Sequence, residues 1–239
     1  MPAMLFLHET HSVIGRCEDE FEEKFRGQDG FMERVADGSD ARLLWYLEHV
    51  HGTGPAYQVV TVTAVRDGAE WERLASRISR GDLRDWVAQV DRLRYDSVAK
   101  LLQPLPWSAL QEVDLATVPV GKGVGEHELV LFMEDTAAPH VGRVHEYIEA
   151  SGRQYAPSLQ RPNPLLEMVA AFQPAFGTGR RREIVLWQRV ADQQALLRLF
   201  TTAIPARMKE PGTWMHDALE VRDQWVSRLL RTSAWSPMT

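Results

Sequence analysis

Proton-transferring side chains stand at alternate positions of short apolar segments, where they would face one side of a sheet. His8 lies in the segment LFLHET, and Glu134 stands at the corresponding place of the similar segment LFMEDT. Histidine titrates near neutral pH, and a neighbouring carboxylate can orient its ring and stabilise its charged form. We therefore expect His8 to act as a general base, with Glu48, Glu134 or Glu167 as its orienting partner or as a second proton carrier. The alternative is that these groups satisfy one another as a structural network.

Aromatic and amide side chains near these groups predict a pocket for a small, largely apolar or aromatic molecule. Burial against aromatic rings fixes such a ligand, while a few polar groups set its orientation. The expected substrate-binding residues are Phe6, Tyr46, Phe132, Glu167, Gln173 and Trp187.

The chain carries an internal duplication. Four landmarks recur in one order, and the distance between the copies drifts only from 125 to 128 residues. Chance matches would not keep so constant a spacing, so we treat the halves as structural copies. We expect a first repeat at 1–118, a linker at 119–128 and a second repeat at 129–239. The landmark pairs are LFLHET with LFMEDT, Gly52-Thr53-Gly54 with Gly177-Thr178-Gly179, Trp86 with Trp214, and Leu101-Leu102 and Trp107-Ser108 with Leu229-Leu230 and Trp235-Ser236.

Each copy follows the order strand, helix, strand, strand, helix, strand, as hydrophobic periodicity and glycine-containing turns indicate. The fold class is therefore α+β, with two tandem βαββαβ repeats. One face of each sheet would stay bare, so we expect the repeats to pack sheet to sheet as a barrel-like unit. In the first copy the predicted strands are 4–10, 42–50, 57–65 and 98–102, the predicted helices are 17–25, 70–78 and 83–93, and the second copy closes with a strand at 226–230.

Strict alternation along each strand assigns every side chain to one of two faces. Leu5, Leu7, Leu43, Trp45 and Leu47 are expected to face the helices. Lys100 and Arg228 match each other across the copies, and a solvated strand edge is favoured for them over a carboxylate-binding role. The residues expected to face inward are Phe6, His8, Thr10, Leu44, Tyr46 and Glu48 in the first copy, and Phe132, Glu134, Thr136, Val169, Ala171 and Gln173 in the second.

Metal and cofactor sites have weaker support. His49 and His51 would point to one side of a strand, as metal ligands can, but Pro174 and Phe176 occupy the equivalent positions of the second copy and no third ligand is evident. Cys17 is the only cysteine, which excludes an intramolecular disulfide and Cys-rich metal sites. The chain has no dinucleotide fingerprint, phosphate-binding loop or nucleophile elbow. We therefore expect neither a metal nor a cofactor.

Composition excludes several classes of partner. The 239 residues include 27 basic and 33 acidic side chains, interspersed and with a net charge of -6, which does not favour nucleic acid. No apolar stretch approaches the roughly 18 residues that a membrane span needs, and the start lacks the basic and apolar regions of a signal peptide. We expect a soluble, unprocessed cytoplasmic protein without a membrane partner. The sequence leaves open whether the chain forms a homo-oligomer.

Four segments carry a resemblance to known proteins: VAKLLQPLPWSALQ at 98–111, VSRLLRTSAWSPM at 226–238, GTGRRREIVLWQRV at 177–190 and PGTWM at 211–215. They are similar to the NIPSNAP family, within the wider dimeric α+β-barrel group of ferredoxin-like proteins, and this resemblance implies two tandem ferredoxin-like repeats packed as a dimeric α+β-barrel-like unit. The match departs from the family in that Val62 stands in the first copy where Trp187 stands in the second. The wider group includes cofactor-free monooxygenases, lactone isomerases, haem enzymes and proteins without assigned chemistry, so the resemblance implies a pocket-bearing scaffold.

Three functions follow as hypotheses. The first is a cofactor-independent enzyme of isomerase, lyase or monooxygenase type, acting on a largely apolar substrate in a pocket between the two sheets. The second is a non-catalytic ligand-binding or interaction scaffold of NIPSNAP type. The third is a haem-binding enzyme with His140, His145 or His216 as the iron ligand.

Overall fold

The chain separates into two compact units in the computed structural model, which describes residues 4–160, 162, 164–180 and 182–239. The first unit comprises the described residues within Met1–Gln103, together with Glu112–Val130 and Leu229–Thr239. The second comprises those within Pro104–Gln111 and Leu131–Arg228. The final strand of the chain thus contributes to both units. The domain boundaries expected from the sequence, 1–118, 119–128 and 129–239, stay a prediction.

The first unit is a four-stranded antiparallel sheet with helices. Its strands lie in the order β4-β1-β3-β2, which is the ferredoxin-like order. In α1 the two phenylalanines one turn apart, Phe21 and Phe25, are buried, and the N-cap Asp67 of α3 accepts the Glu70 N–H at 2.9 Å. The elements are β1 (Leu5–Val13), α1 (Glu18–Arg26), α2 (Phe31–Ala36), β2 (Ala41–His49), β3 (Gln58–Val65), α3 (Gly68–Arg80), α4 (Arg84–Val90) and β4 (Arg94–Pro104).

The second unit repeats this plan. Its strands lie in the order β8-β5-β7-β6, so the closing strand again lies beside the first. The expected α+β class and the βαββαβ order are confirmed. The elements are β5 (Leu131–Pro139), α5 (Val144–Ala150), a π-helical turn (Ser151–Tyr155), α6 (Ala156–Ser158), β6 (Leu166–Pro174), β7 (Ile184–Val190), α7 (Gln193–Thr201), α8 (Trp214–Asp217) and β8 (Arg222–Thr232), with 3₁₀ turns at Gly121–Gly123, Ala206–Lys209 and Ala218–Glu220.

Equivalent hydrogen bonds show how closely the two units correspond. The Ile14 N–H donates to the Leu93 carbonyl at 2.9 Å, and the His140 N–H donates to the Val221 carbonyl at 2.8 Å. Equivalent residues are thus 126 positions apart in the sequence for the first strand of each unit, and 128 positions apart for the last strand. Residues of the two units can therefore be compared one by one.

A β-bulge interrupts the second strand of each unit. The register shifts between Leu43 and Trp45 in β2, and between Met168 and Ala170 in β6. One extra residue reverses the alternation for the rest of the strand. The Tyr46 ring consequently packs in the helix-facing core, with its centroid 5.4 Å from that of Phe25.

Because of this bulge, part of the expected assignment of side chains to the two faces of the sheet is wrong. Tyr46 and Ala171 both belong to helix-facing cores, although strict alternation placed them inward. Glu48 and Gln173, two positions further along each strand, share the side of Tyr46 and Ala171. In β1, which has no bulge before Ser12, the alternation holds up to that residue: His11 contacts Phe21 in the helix-facing core, so His8, three residues earlier, lies on the opposite face.

The helices of both units are short. The longest, α3, has 13 residues, whereas a helix needs about 20 residues to cross a bilayer. Within the described ranges, none combines the length and the apolar character of a membrane-spanning helix.

Candidate functional site

His8 and Glu134 occupy equivalent positions in their own units. His8 lies on β1 with 1% of its surface exposed, and Val62 and Lys100 are its neighbours across the sheet. Glu134 lies on β5 with 3% exposed, opposite Trp187 of β7. The expected catalytic pairing of His8 with Glu134 stays a prediction.

Glu134 is held by two neighbours in the second unit. Its Oε2 accepts the Trp187 Nε1–H at 2.8 Å, and its Oε1 accepts from Arg228 Nε at 2.8 Å and Nη2 at 2.6 Å. The expected solvated strand edge is wrong for Arg228, whose side chain is only 18% exposed, because its guanidinium closes on this buried carboxylate. Phe132 packs beside Trp187, with ring centroids 5.9 Å apart. The structure thus brings together Phe132, Glu134 and Trp187.

The other residues expected to act in catalysis or to bind substrate lie on several strands of the two units. Glu48, expected as a catalytic partner of His8, forms an ion pair with Arg231, and Glu167 forms one with Arg189; all four side chains are more than a third exposed. Phe6 is fully buried on β1. Tyr46, Glu48 and Gln173 lie on the helix-facing sides of their strands, as described above.

A cavity of about 150 Å³ opens between the sheet and the helices of the second unit, at a place that the sequence did not indicate. A cavity of this size can hold a single aromatic ring. Its wall on the solvent side is Trp225, which is 48% exposed. The lining residues are Asp135, Ala137, Tyr147, Tyr155, Leu186, Trp214, Met215, Arg222 and Trp225.

Asp135 is the carboxylate of this cavity, which we name the Asp135–Arg222 cavity. Its Oδ2 accepts the Gln188 Nε2–H at 2.9 Å, and its Oδ1 accepts from the Ser227 hydroxyl. Tyr155 donates in turn to the Gln188 carbonyl oxygen, which fixes the amide. Burial raises the pKa of the Asp135 carboxyl, although the hydrogen bonds from Ser227 and Gln188 and the charge of Arg222 oppose that rise. A raised pKa makes the carboxylate a stronger base than an exposed aspartate.

Arg222 supplies the positive charge. Its side chain is 8% exposed, and its guanidinium lies 4.2 Å from the centre of the Trp225 ring. Across the described parts of the chain, neither its buried Nε nor its Nη1 has a hydrogen-bond partner. Arginine stays charged inside proteins, and a buried donor without a partner costs about 1–3 kcal/mol. An acceptor placed in the cavity would remove this penalty.

Two tyrosines complete the polar lining. Burial raises the pKa of Tyr147 to about 12, while the charge of Arg222 and a hydrogen bond between Arg222 and the Tyr147 hydroxyl act in the opposite direction. Burial also raises the pKa of Tyr155, whose ring stacks on Trp214 with centroids 5.7 Å apart. Both hydroxyls are therefore protonated at neutral pH. The cavity combines a base, a fixed cation and flat aromatic walls, which suits proton removal from a planar molecule whose product carries negative charge.

No metal centre is apparent in the described ranges, where no three or more His, Cys, Asp or Glu side chains are grouped to hold an ion. His49 and His51 thus belong to no such group among the described residues. One sequence signal could have revealed the cavity. Asp135 is a carboxylate between Met133 and Ala137 on the helix-facing side of β5, where an apolar residue is the rule.

No family model and no curated protein matches the chain. A putative monooxygenase from Lactobacillus acidophilus NCFM is similar in structure, with 12% identity and a TM-score of 0.59, over 99% of this chain and 97% of that one. An anthrone oxidase-like protein is similar with 10% identity and a TM-score of 0.57, over 98% and 92% of the two chains. This likeness along the whole chain shows the fold, tandem ferredoxin-like repeats of the dimeric α+β-barrel kind.

A NIPSNAP family protein from Agrobacterium tumefaciens is also among the similar solved structures. It is 16% identical with a TM-score of 0.37, and the match covers 45% of this chain and 99% of that one. A likeness this low carries no argument, so membership of the NIPSNAP family stays a prediction.

Proposed function

We propose that the chain is a cofactor-independent enzyme of the monooxygenase type and that the reaction takes place in the Asp135–Arg222 cavity. The observation that carries this proposal is a half-buried carboxylate beside a buried guanidinium, both lining one ring-sized cavity, with two guanidinium nitrogens that have no hydrogen-bond partner among the described residues. The fold that the chain shares with a putative monooxygenase and an anthrone oxidase-like protein supports the reaction class.

The proposed reaction begins with proton transfer to Asp135. The substrate is a small ring compound whose acidic C–H or O–H stands near a hydrogen-bond acceptor. Loss of the proton leaves the substrate with a negative charge on an oxygen or nitrogen atom. The Arg222 guanidinium stabilises this anion. Molecular oxygen is the oxidant and accepts four electrons from the substrate, in two steps of two electrons each. A CH₂ group thereby becomes a carbonyl with one oxygen atom, and the second oxygen leaves as water with the two protons.

The remaining lining residues orient this chemistry. Tyr155 and Ser227 fix Gln188 and Asp135, so the carboxylate keeps one orientation when the substrate enters. Trp214 and Trp225 flank the guanidinium and limit its contact with water. Excluding water strengthens the attraction between Arg222 and a developing anion.

The variant Asp135→Asn tests the proposal. Oxygen uptake would be measured with a panel of small ring compounds that carry acidic C–H or O–H groups, and ¹⁸O₂ would mark the product. We expect D135N to lower turnover at least 100-fold, because the amide cannot accept the proton. Wild-type turnover should rise with pH through the raised pKa of Asp135, because only the ionised carboxylate is the base.

His8→Ala is the rival variant, because His8 is the base expected from the sequence. If H8A abolishes turnover while D135N retains it, the base is His8 and the proposed site is wrong. If the panel members bind in the cavity and no member is oxygenated, the non-catalytic ligand-binding hypothesis replaces the enzyme. Melting curves of both variants identify any loss of activity that comes from unfolding.

A further inference from the structure

The first unit contains residues that correspond to Asp135 and Arg222, and there the His11 ring takes the place of the cavity. Arg94 corresponds to Arg222, and Glu9 corresponds to Asp135, by the spacing that the paired backbone hydrogen bonds fix. Burial raises the pKa of Glu9, as it does for Asp135. The cation and the carboxylate are thus common to both units. The two units differ in the side chains that surround Arg94 and Arg222.

Each guanidinium nitrogen of Arg94 has a hydrogen-bond acceptor. Its Nη1 donates to His11 Nδ1 at 2.7 Å, and its Nε and Nη2 donate to Asp91 Oδ1 at 2.9 and 2.6 Å. Burial and the charge of Arg94 lower the pKa of His11 to about 3, so the ring is neutral and its Nδ1 can accept. The other ring nitrogen lies 3.1 Å from the Thr61 hydroxyl.

The second unit keeps the arginine but lacks both of these acceptors. Ala137 stands where His11 stands in the first unit, and Leu219 stands where Asp91 stands. Among the residues that the structure describes, Nε and Nη1 of Arg222 have no hydrogen-bond partner. The corresponding nitrogens of Arg94 donate to Asp91 and His11, respectively. The cavity is lined by Ala137 and Arg222, the positions of His11 and Arg94.

Aromatic packing around this position has changed in the same direction. The His11 ring lies 5.3 Å from Phe21 and 5.7 Å from Phe25, centroid to centroid. The corresponding residues of the second unit are Tyr147 and Ser151. The aromatic wall is therefore kept at Tyr147, and the small Ser151 side chain replaces the ring of Phe25. The Tyr155 ring stacks on Trp214 in the second unit, and the cavity stays open beside Ala137 and Arg222.

We infer that the Asp135–Arg222 cavity binds a small uncharged heteroaromatic ring, which takes the place that His11 takes in the first unit and accepts a hydrogen bond from Arg222. The chain then holds one such ligand, because His11 fills the equivalent space of the first unit. This inference rests on the proposed function and names the substrate class of the same cavity. Its test needs no turnover.

Calorimetric titration of the full chain with imidazole tests the inference. Pyrrole is the matched ligand, since it has the shape of imidazole but no acceptor nitrogen. We expect one imidazole per wild-type chain and binding of pyrrole at least tenfold weaker. Ala137→His should weaken imidazole binding at least tenfold, because the new ring reproduces the first unit. Absence of imidazole binding, equal binding of pyrrole, or full binding to A137H would each overturn the inference.

A second variant guards against a folding defect in A137H. Arg222→Met replaces the guanidinium donors with an apolar side chain and should abolish the preference for imidazole over pyrrole. An unchanged preference would contradict the inference. Circular dichroism confirms that each variant is folded. Imidazole bound in the cavity of a chain whose D135N variant retains turnover overturns the proposed function alone. Loss of turnover in D135N without any imidazole binding overturns the inference alone.

Discussion

Burial, together with the charge of Arg94, keeps the His11 imidazole neutral, and this makes the stability of the protein depend on pH. The folded ring titrates at about 3, whereas an unfolded histidine titrates at about 6.5. The stabilising contribution is complete above the unfolded value and is lost as pH falls toward 3, because only the unfolded chain then takes up the proton. One group changes the free energy of unfolding by about 1.4 kcal/mol per pH unit in this window.

Urea unfolding at pH 7 and pH 5 measures this contribution. The wild-type free energy of unfolding should fall by about 2 kcal/mol from His11 between these pH values, in addition to the changes that other groups cause. His11→Gln keeps an acceptor for Arg94 and should show a fall that is smaller by about this amount. His145→Gln, which replaces a histidine with an 88% exposed side chain, is the control. Equal pH dependence in H11Q and wild type would contradict the assignment.

Only part of the candidate site can be predicted at the scale of single residues. Alternation along β1 and β5 places His8 and Glu134 correctly as buried residues at equivalent positions. Asp135 and Arg222 escape notice because a pattern assigns a face and does not say whether neighbouring side chains fill the space beside it. The contact of Arg94 with His11 becomes visible only when the last strand of the unit lies beside the first.

At the scale of elements, the order of strands and helices follows from periodicity and turn residues, but the bulges do not. The segment around Leu44 reads ARLLWYL and is apolar on both faces, so an extra residue leaves no polar mark in the sequence. Its effect reaches every later residue of the strand, and it turns Tyr46 toward the helices. This is why the expected facing failed for part of each second strand and held in β1 up to its irregularity after Ser12.

A serine hydroxyl supports the strand beyond each bulge. Ser236 Oγ accepts the Tyr46 N–H at 3.2 Å, and Ser108 Oγ accepts the Ala171 N–H at 2.9 Å. Both serines are buried, so Ser236→Ala leaves a buried amide without an acceptor. We expect S236A and S108A each to lower the free energy of unfolding by about 1–3 kcal/mol in urea titrations. The exposed Thr239→Ala is the control, and no effect of S236A beyond it would refute this supporting role.

At the scale of the whole molecule, one fold has been used twice with different contents. The first unit packs large rings at the helix-facing positions of Phe25 and Tyr46, and the second unit has Ser151 and Ala171 there. Large buried rings stabilise a core, whereas small residues leave room for a ligand. The duplication itself is predictable from the sequence, since it rests on repeated landmarks. The division of tasks between the copies is not, because it depends on which space each replacement leaves open.

Exchanging the key residues between the copies should therefore move the ligand site. A chain with His11→Ala and Asp91→Leu in the first unit, and Ala137→His and Leu219→Asp in the second, gives Arg94 the surroundings of Arg222 and the reverse. We expect it to bind one imidazole per chain, now in the first unit, because each arginine takes whichever acceptor its surroundings supply. Crystals of this variant soaked with imidazole would locate the ring, and calorimetry would count it. Imidazole still seated beside Arg222, or a folded variant that binds none, would show that the two units differ by more than these four side chains.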